Sequence, residues 1–159
     1  MSAILVVSFG DIKSNIFLAL KCNPDLELVK RLIALDVGID CASLGEMELA
    51  MDLGAPPGRI IYTNPIKSLA SLETAGVLDV KTLVFDNAEE LLKIKKWIPD
   101  ARLLRIEADD PSASINFSSK FGASPDTAGS LIKIASKLGM DVAGISFHIG
   151  KERADIIHD

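Results

Sequence analysis

The sequence is poor in the residues that bind metal ions and form disulfide bonds. Its 159 residues include only 2 histidines and 2 cysteines. The histidines, His148 and His158, both lie late in the sequence and show no zinc-ligand spacing, so we expect no metal and no metal-dependent hydrolysis. Cys22 and Cys41 form no CxxC pair, which makes a reducing, cytoplasmic setting the default expectation.

Long apolar runs and an excess of basic charge are also missing. No apolar run has the length of a membrane span, and the short run at residues 3–7 lacks the basic leader of a signal peptide, so it is interpreted as a strand. A net charge of −5 without a basic stripe argues against nucleic acid as the main partner. The chain is 48% hydrophobic, and its length predicts a single domain over residues 1–159.

Short apolar runs alternate with helical patterns along the chain. The strand-like runs lie at residues 17–20, 38–42, 59–63, 82–85, 102–106 and 142–147. Helical spacing marks apolar faces around residues 26–33, 47–53, 91–97 and 131–138, with Ser124 as a helix start and Gly139 as a stop. This alternation predicts an α/β fold with parallel strands. The pattern alone leaves two closures open, a doubly wound sheet and a (β/α) barrel.

The predicted carboxyl ends of the strands carry polar side chains that could perform chemistry. In parallel α/β folds the active site lies at this edge. An amine, several carboxylates, a guanidinium and an imidazole follow successive strands: Lys21, Asp40, Glu46, Thr63, Asn64, Asp86, Asn87, Arg105, Glu107 and His148. Taken alone, Asp86 and Asn87 are better explained as a helix cap, but the joint placement of the set favours a function.

Lys21 is the most informative of these residues. It closes the apolar run FLAL, and a lysine at the end of a buried strand is expected to have a desolvated amine. A desolvated lysine is the kind that bonds covalently to a carbonyl group. The plainer interpretation is that its long side chain reaches water.

Seven segments resemble the ornithine decarboxylase family, in order and at the family's spacing. They read ALKCNPD from residue 19, IDCAS from 39 with GE at 45–46, RIIYTNP from 59, FDNAEEL from 85, LLRI from 103, KFGA from 120 and GISFHIG from 144. The broader group includes diaminopimelate and arginine decarboxylases and is similar to the alanine racemases. The motifs LKCN and DCAS favour the ornithine branch.

The resemblance implies a fold, a cofactor and a set of site residues. The fold would be a partial (β/α)8 TIM-type barrel with about six of its eight βα units. The cofactor would be pyridoxal 5′-phosphate (PLP), bonded covalently to Lys21, with His148 stacked on its ring. Asp40, Glu46 and Arg105 match family positions that surround the cofactor. The implied activity is that of a PLP-dependent carboxy-lyase acting on a small-molecule amino acid, ornithine to putrescine in polyamine biosynthesis, in an enzyme that is a homodimer in the complete family.

The sequence also departs from the family. It stops at Asp159, just past the sixth predicted strand, so we expect a truncated or partial form without the β-domain. In the family the remaining part supplies a glycine-rich phosphate loop, and this sequence shows no such turn. Asn116 stands where the ornithine branch usually has arginine, and Lys151 where a serine usually helps to hold the cofactor.

A non-catalytic, regulatory interpretation remains open. The family includes inactive relatives that control polyamine synthesis by binding the inhibitor of the active enzyme, through the region that matches residues 67–97. Lys93, Lys95 and Lys96 form a small basic cluster there. Because Glu89 and Glu90 adjoin this cluster, it is predicted to be a solvated helix face.

Overall fold

The computed structural model describes residues 15–101, 103–106, 121–140 and 142–147. The strand interpretation at residues 3–7 falls outside these ranges, and so does the proposed site residue His148. Glu107, Asn116 and Lys151 also lie outside them.

Within the described ranges the chain forms six parallel strands in one sheet. They are β1 (Phe17–Ala19), β2 (Gly38–Cys41), β3 (Ile60–Tyr62), β4 (Thr82–Phe85), β5 (Leu103–Arg105) and β6 (Gly144–Ser146). All six predicted strands are confirmed. Their order in the sheet follows their order in the sequence. A doubly wound sheet reverses its order at a switch point, whereas a barrel does not, so the unbroken order identifies part of a barrel.

Five α-helices pack against this sheet in the described ranges. They are α1 (Leu26–Ala34), α2 (Leu44–Asp52), α3 (Leu69–Val77), α4 (Ala88–Trp97) and α5 (Pro125–Lys137), with short 3₁₀ helices at Leu20–Cys22 and Pro57–Arg59. Four of the α-helices lie where the apolar spacing predicts them. The spacing misses α3, because its end residues Leu69 and Val77 are apolar but exposed and so blur the buried face formed by Leu72 and Ala75.

A side chain caps the first turn of each of the five α-helices. Each capping oxygen accepts a hydrogen bond from the backbone N–H of the third residue of its helix, and these oxygens belong to Asp25, Ser43, Ser68, Asn87 and Ser124. The predicted start at Ser124 is therefore confirmed. Gly139, at φ +65°, confirms the predicted stop, since that left-handed conformation suits glycine.

The two faces of the sheet differ in their surroundings. Ile39 and Cys41 of β2 are fully buried against the helices, whereas Asp40 between them is only half-buried. The same alternation holds in β3, where Ile61 separates two buried residues. Because successive side chains of a strand point to opposite faces, the helices cover one face, and Asp40 lies on the other, which is the lumen side of a barrel.

The amino end of the sheet is formed by tight turns and ion pairs. Four turns between a helix and the next strand contain a residue with positive φ: Asp36 (61°), Gly54 (92°), Asp79 (60°) and Gly139 (65°). Both aspartates pair with a cation close in space. Asp36 Oδ1 lies 3.3 Å from Arg59 Nε, and Asp79 Oδ1 lies 3.0 Å from Lys81 Nζ.

Candidate active site at the carboxyl ends of the strands

A cavity opens at the carboxyl end of the sheet. Its volume is about 180 Å³. Its lining residues lie at the carboxyl ends of β1, β2, β3 and β5 or in the segments that follow them: Lys21, Ala42, Thr63, Asn64, Pro65, Arg105 and Phe121. An amine, a guanidinium, a hydroxyl, an amide and an aromatic ring therefore meet in one opening. This is the edge of a parallel sheet where α/β enzymes place their active sites.

Lys21 lines this cavity without being buried, which corrects the expectation of a desolvated amine. Strand β1 ends at Ala19, one residue before the end of the apolar run, and residues 20–22 form a 3₁₀ helix. That turn sends Leu20 into the core, where it is fully buried, and leaves Lys21 exposed. Lys21 and Arg105 nevertheless line the same cavity. The amine is thus accessible to a ligand that enters there.

Arg105 ends β5 and is half-buried in the cavity wall. Burial lowers the pKa of its guanidinium, while the nearby carboxylates of Asp86 and Asp40 act in the opposite direction. Its Cζ lies 5.6 Å from the centroid of the Phe121 ring, within the range of a cation–π contact. The charge of Arg105 is therefore held between an aromatic face and two acidic side chains.

Asp40 and Glu46 do not line the cavity themselves but accept hydrogen bonds from residues that do. The hydroxyl of Thr63 donates a 2.5 Å hydrogen bond to Asp40 Oδ1. The backbone N–H of Ala42 donates a 2.5 Å hydrogen bond to Glu46 Oε2, and the N–H of Glu46 donates to Ser43 Oγ at 3.2 Å. Glu46 thus joins the start of α2 to the cavity wall in a variant of the capping box. Both carboxylates reach the cavity through a lining residue, Thr63 or Ala42.

Asp86 and Asn87 are neighbours in the sequence but bind different segments. Asn87 is the N-cap of α4 and accepts from the N–H of Glu90 at 2.8 Å, which confirms its capping interpretation. Asp86 instead accepts from the N–H of Gly122 at 2.9 Å. Since Gly122 follows Phe121, this bond holds the aromatic wall of the cavity to the end of β4.

A buried cluster of charges, which no local sequence pattern predicts, adjoins the cavity. Glu90 is only 2% exposed. Of the lysines predicted to form a solvated helix face, Lys96 is exposed, and Lys93 and Lys95 are half-buried. The carboxylate of Glu90 lies 3.2 Å from Lys67 Nζ and 2.7 Å from Lys93 Nζ. Lys67 stands 23 residues before Glu90 in the sequence, so no pattern within α4 reveals the pairing.

Cys41, the buried thiol of β2, is not activated as a nucleophile. Burial, with Glu46 and Asp40 nearby, raises the pKa of the Cys41 thiol to about 12, so it stays protonated and is a poor nucleophile. Across residues 15–101, 103–106, 121–140 and 142–147, no three histidine, cysteine or acidic side chains converge as metal ligands. Nor does any helix in those ranges have the length and hydrophobicity needed to cross a membrane.

Comparisons with known proteins bear on this site. A family model described as pyridoxal-dependent decarboxylase, pyridoxal binding domain, matches residues 6–158. Over 140 residues, 87% of the chain, the sequence is 49% identical to decarboxylase flvG of Aspergillus flavus and 46% identical to ornithine decarboxylase of Neurospora crassa. Over the same length it is 43% identical to antizyme inhibitor 2 of Xenopus laevis. The chain spans about a third of the length of these relatives: 33%, 29% and 30%.

A solved structure is similar in fold as well as in sequence. The arginine decarboxylase of Paramecium bursaria Chlorella virus, bound to agmatine, superposes with a TM-score of 0.82 at 36% identity. The match covers 89% of the present chain and 38% of the viral chain. This superposition confirms the predicted fold class, a partial TIM-type barrel.

Proposed function

Since the chain belongs to the pyridoxal-dependent decarboxylase family through its pyridoxal-binding domain, we propose that it carries the cofactor-lysine side of an amino-acid decarboxylase of the ornithine type. The proposed reaction converts ornithine to putrescine with loss of CO2. The observation that supports it most is the shared cavity of Lys21 and Arg105 at the carboxyl edge of a parallel sheet. In this proposal residues 1–159 form a single unit of incomplete barrel.

The residues around the cavity fit the cofactor of this family, PLP. Lys21 presents an exposed amine to the cavity, and an amine is the group that bonds to an aldehyde. Arg105 supplies a positive charge for an anionic ligand, and Phe121 supplies an apolar wall. Lys21 would hold the cofactor by a covalent bond, and Arg105 would hold it by electrostatic attraction.

Each proposed site residue then has a physical task. Lys21 would hold the cofactor covalently through its amine. Arg105, half-buried and 5.6 Å from the centroid of the Phe121 ring, keeps a positive charge in the cavity wall. Asp40 orients the Thr63 hydroxyl in the wall, and Glu46 fixes the backbone at Ala42. The chemistry that PLP supplies when bound is that of an electron sink for the carbanion left by the departing carboxylate. His148 belongs to the proposed set by family position alone.

Ornithine is favoured over other amino acids by the sequence comparisons. The Neurospora relative, which is 46% identical over 140 residues, is an ornithine decarboxylase. The proposal also includes a cytoplasmic setting and a homodimer, as the resemblance implies.

The proposed role of Lys21 is tested by covalent labelling. The chain is incubated with pyridoxal 5′-phosphate, reduced with borohydride, digested and mapped by mass spectrometry. The phosphopyridoxyl group is expected mainly on the peptide that contains Lys21, because this amine lines the cavity beside Arg105. Lys21→Arg, which keeps the charge but cannot form the bond, should lose the label.

Lys30→Arg provides a matched control. Lys30 is an exposed lysine on α1, away from the cavity lining, so its replacement should leave the labelling of Lys21 unchanged. Equal labelling of Lys21 and Lys30 in the unmodified chain would mean that the cavity does not select the cofactor, and the proposal would fail.

A regulatory binding protein is the second candidate function. It is supported by the 43% identity to antizyme inhibitor 2 of Xenopus laevis, a value close to that of the enzymes. Selective labelling of Lys21 combined with CO2 release from carboxyl-labelled ornithine supports the enzyme. An absence of both, with saturable binding of antizyme, would support the regulator instead.

A further inference from the structure

The most unusual feature outside the cavity lining is the lysine at the centre of the buried charge cluster. The side chain of Lys67 is 0% exposed, and that of its partner Glu90 is 2% exposed. Lys67 Nζ donates to three backbone carbonyls, those of Val84 at 2.6 Å, Asn64 at 2.9 Å and Pro65 at 3.2 Å. One ammonium group therefore joins the ends of β3 and β4 and also meets the carboxylate on α4.

Two of these carbonyls belong to the wall of the cavity. Asn64 and Pro65 both line it, and Thr63, immediately before them, holds Asp40 through its hydroxyl. The Lys67 backbone is fixed in turn, since its N–H donates to Glu90 Oε1 at 3.2 Å and its carbonyl accepts from Lys93 Nζ at 2.8 Å. The wall segment of residues 63–67 is thus connected to α4 through Lys67 and the two charged partners on that helix.

Fold stability is a poor explanation for such an arrangement. Removing an ammonium and a carboxylate from water costs several kcal/mol per ion, and well-packed apolar residues often stabilise a site as well or better. The bonds of Lys67 instead converge on the irregular segment after β3, where no strand pairing fixes the backbone carbonyls of Asn64 and Pro65. A cation that binds several carbonyls at once determines the path of such a segment.

We propose that Lys67 is a positioning residue for the candidate active site: by binding the carbonyls of Asn64, Pro65 and Val84 against Glu90, it sets the place of the Thr63–Pro65 wall and so the affinity for the ligand at Lys21. The ligand part of this inference rests on the proposed function. Lys67 itself is absent from the cavity lining, so its effect is transmitted through the wall.

Hydrogen exchange of the wall tests the inference without any ligand. The amides of Thr63, Ile66 and Lys67 are hydrogen-bonded, to Cys41 O, Asn64 Oδ1 and Glu90 Oε1 respectively. In Lys67→Met, which keeps a four-atom unbranched side chain but removes the ammonium, the peptide covering residues 63–69 should exchange about tenfold faster, because local opening frees these amides. The peptide covering β2 should exchange as before.

Covalent labelling provides the second readout. In Lys67→Met the concentration of pyridoxal 5′-phosphate that half-labels Lys21 should rise by about tenfold to a hundredfold, the usual consequence of a small displacement in a binding site. Leu91→Ala is the stability-matched control, since Leu91 is fully buried on the same helix but does not line the cavity. It should lower the melting temperature similarly and leave the labelling unchanged.

The outcomes separate the two proposals. If the unmodified chain does not label at Lys21, the proposed function fails, and exchange in the 63–69 peptide alone decides the role of Lys67. If that peptide exchanges at the unmodified rate in Lys67→Met, or if Leu91→Ala weakens labelling as much, the positioning role is wrong.

Lys93→Met covers the case in which Lys67→Met does not fold. The Lys93 side chain is 35% exposed, and its removal leaves the Lys67–Glu90 pair in place. Its loss frees the carbonyl of Lys67, so exchange in the 63–69 peptide should rise by about twofold to fivefold. No rise would overturn the proposal.

Discussion

The two ends of the sheet both carry a lysine that bridges two neighbouring segments, but in opposite surroundings. At the amino end, Lys81 pairs with Asp79 at 3.0 Å and Asp100 at 3.2 Å, and all three side chains are at least 45% exposed. At the carboxyl end, Lys67 and Glu90 make a pair of similar length with almost no exposure. Equal distances therefore accompany very different energies, because water screens the first pair and not the second.

Of these ion pairs, only the one at the carboxyl end of the sheet has a large desolvation free energy. A screened pair can be lost with little consequence, whereas a buried pair leaves an uncompensated charge when one partner is removed. The buried pair of Lys67 and Glu90 adjoins the cavity that contains Lys21 and Arg105. The exposed ion pairs of Lys81 lie at the opposite end of the sheet. The comparison leads to three predictions on stability.

The largest effect is expected from Glu90→Leu. The substitution leaves the fully buried Lys67 amine with backbone carbonyls but no carboxylate, which should lower the unfolding free energy by about 3–5 kcal/mol. Asp79→Asn is the control at the other end, where an asparagine suits the positive φ and only the exposed charge is lost. Urea denaturation of both variants measures the contrast, and similar losses would refute it.

A steric effect of intermediate size is expected at the amino end. A Cβ on Gly38 would overlap the ring of Phe17 and lie 2.9 Å from the backbone oxygen of Arg59, so Gly38→Ala should cost about 1–3 kcal/mol. Gly129→Ala is the matched control, because a Cβ there has no neighbour within 4 Å. As Gly129 lies inside α5, this variant should gain about 0.5–1 kcal/mol. Thermal unfolding that ranks Gly38→Ala at or above the unmodified chain would show that the amino end is not closely packed.

The smallest effect is a pH dependence that only the buried lysine should show. Burial lowers the pKa of Lys67 to about 8, while Glu90 and Asp86 oppose this shift and Lys93 adds to it. Between this value and the ordinary lysine pKa the unfolded chain binds more protons, so the contribution of Lys67 to stability should increase as the pH rises. From pH 7.5 to 9.5 the unfolding free energy should rise by about 1–2 kcal/mol relative to Lys67→Met.

Urea titrations of both proteins at each pH provide that difference. A difference that stays constant, or that decreases, would place the Lys67 amine in a solvent-like environment. Lys81→Met serves as the reference for an exposed lysine and should show no such rise, because Lys81 has its pKa raised by Asp79 and Asp100.

Strand positions were predictable from the sequence because local composition determines them. The six apolar runs and the caps at Asn87 and Ser124 depend on neighbours within a few residues. The family resemblance then identified the lysine and arginine that the structure brings into one cavity. The choice between closures depends on strand order, which apolar spacing does not contain.

The errors occurred where distant residues decide the outcome. Lys21 was expected to be buried because its run looks like a continuous strand, but the 3₁₀ turn after Ala19 buries Leu20 instead. The burial of Glu90 was not predicted, because its partner Lys67 lies on another element, 23 residues away. A buried ion pair needs both partners in place, and neither partner alone reveals it.

The turns with positive φ are suitable sites for attaching a label to this molecule. Asp36, Gly54, Asp79 and Gly139 all lie at the amino end of the sheet, and none of them lines the cavity. A fluorophore or an immobilisation tag attached at such a turn would therefore report on the chain from the side opposite Lys21. Surface capture through Asp36 or Asp79 would leave the opening free for titration with small molecules, so sensors of cofactor uptake can be built on this scaffold without altering the cavity.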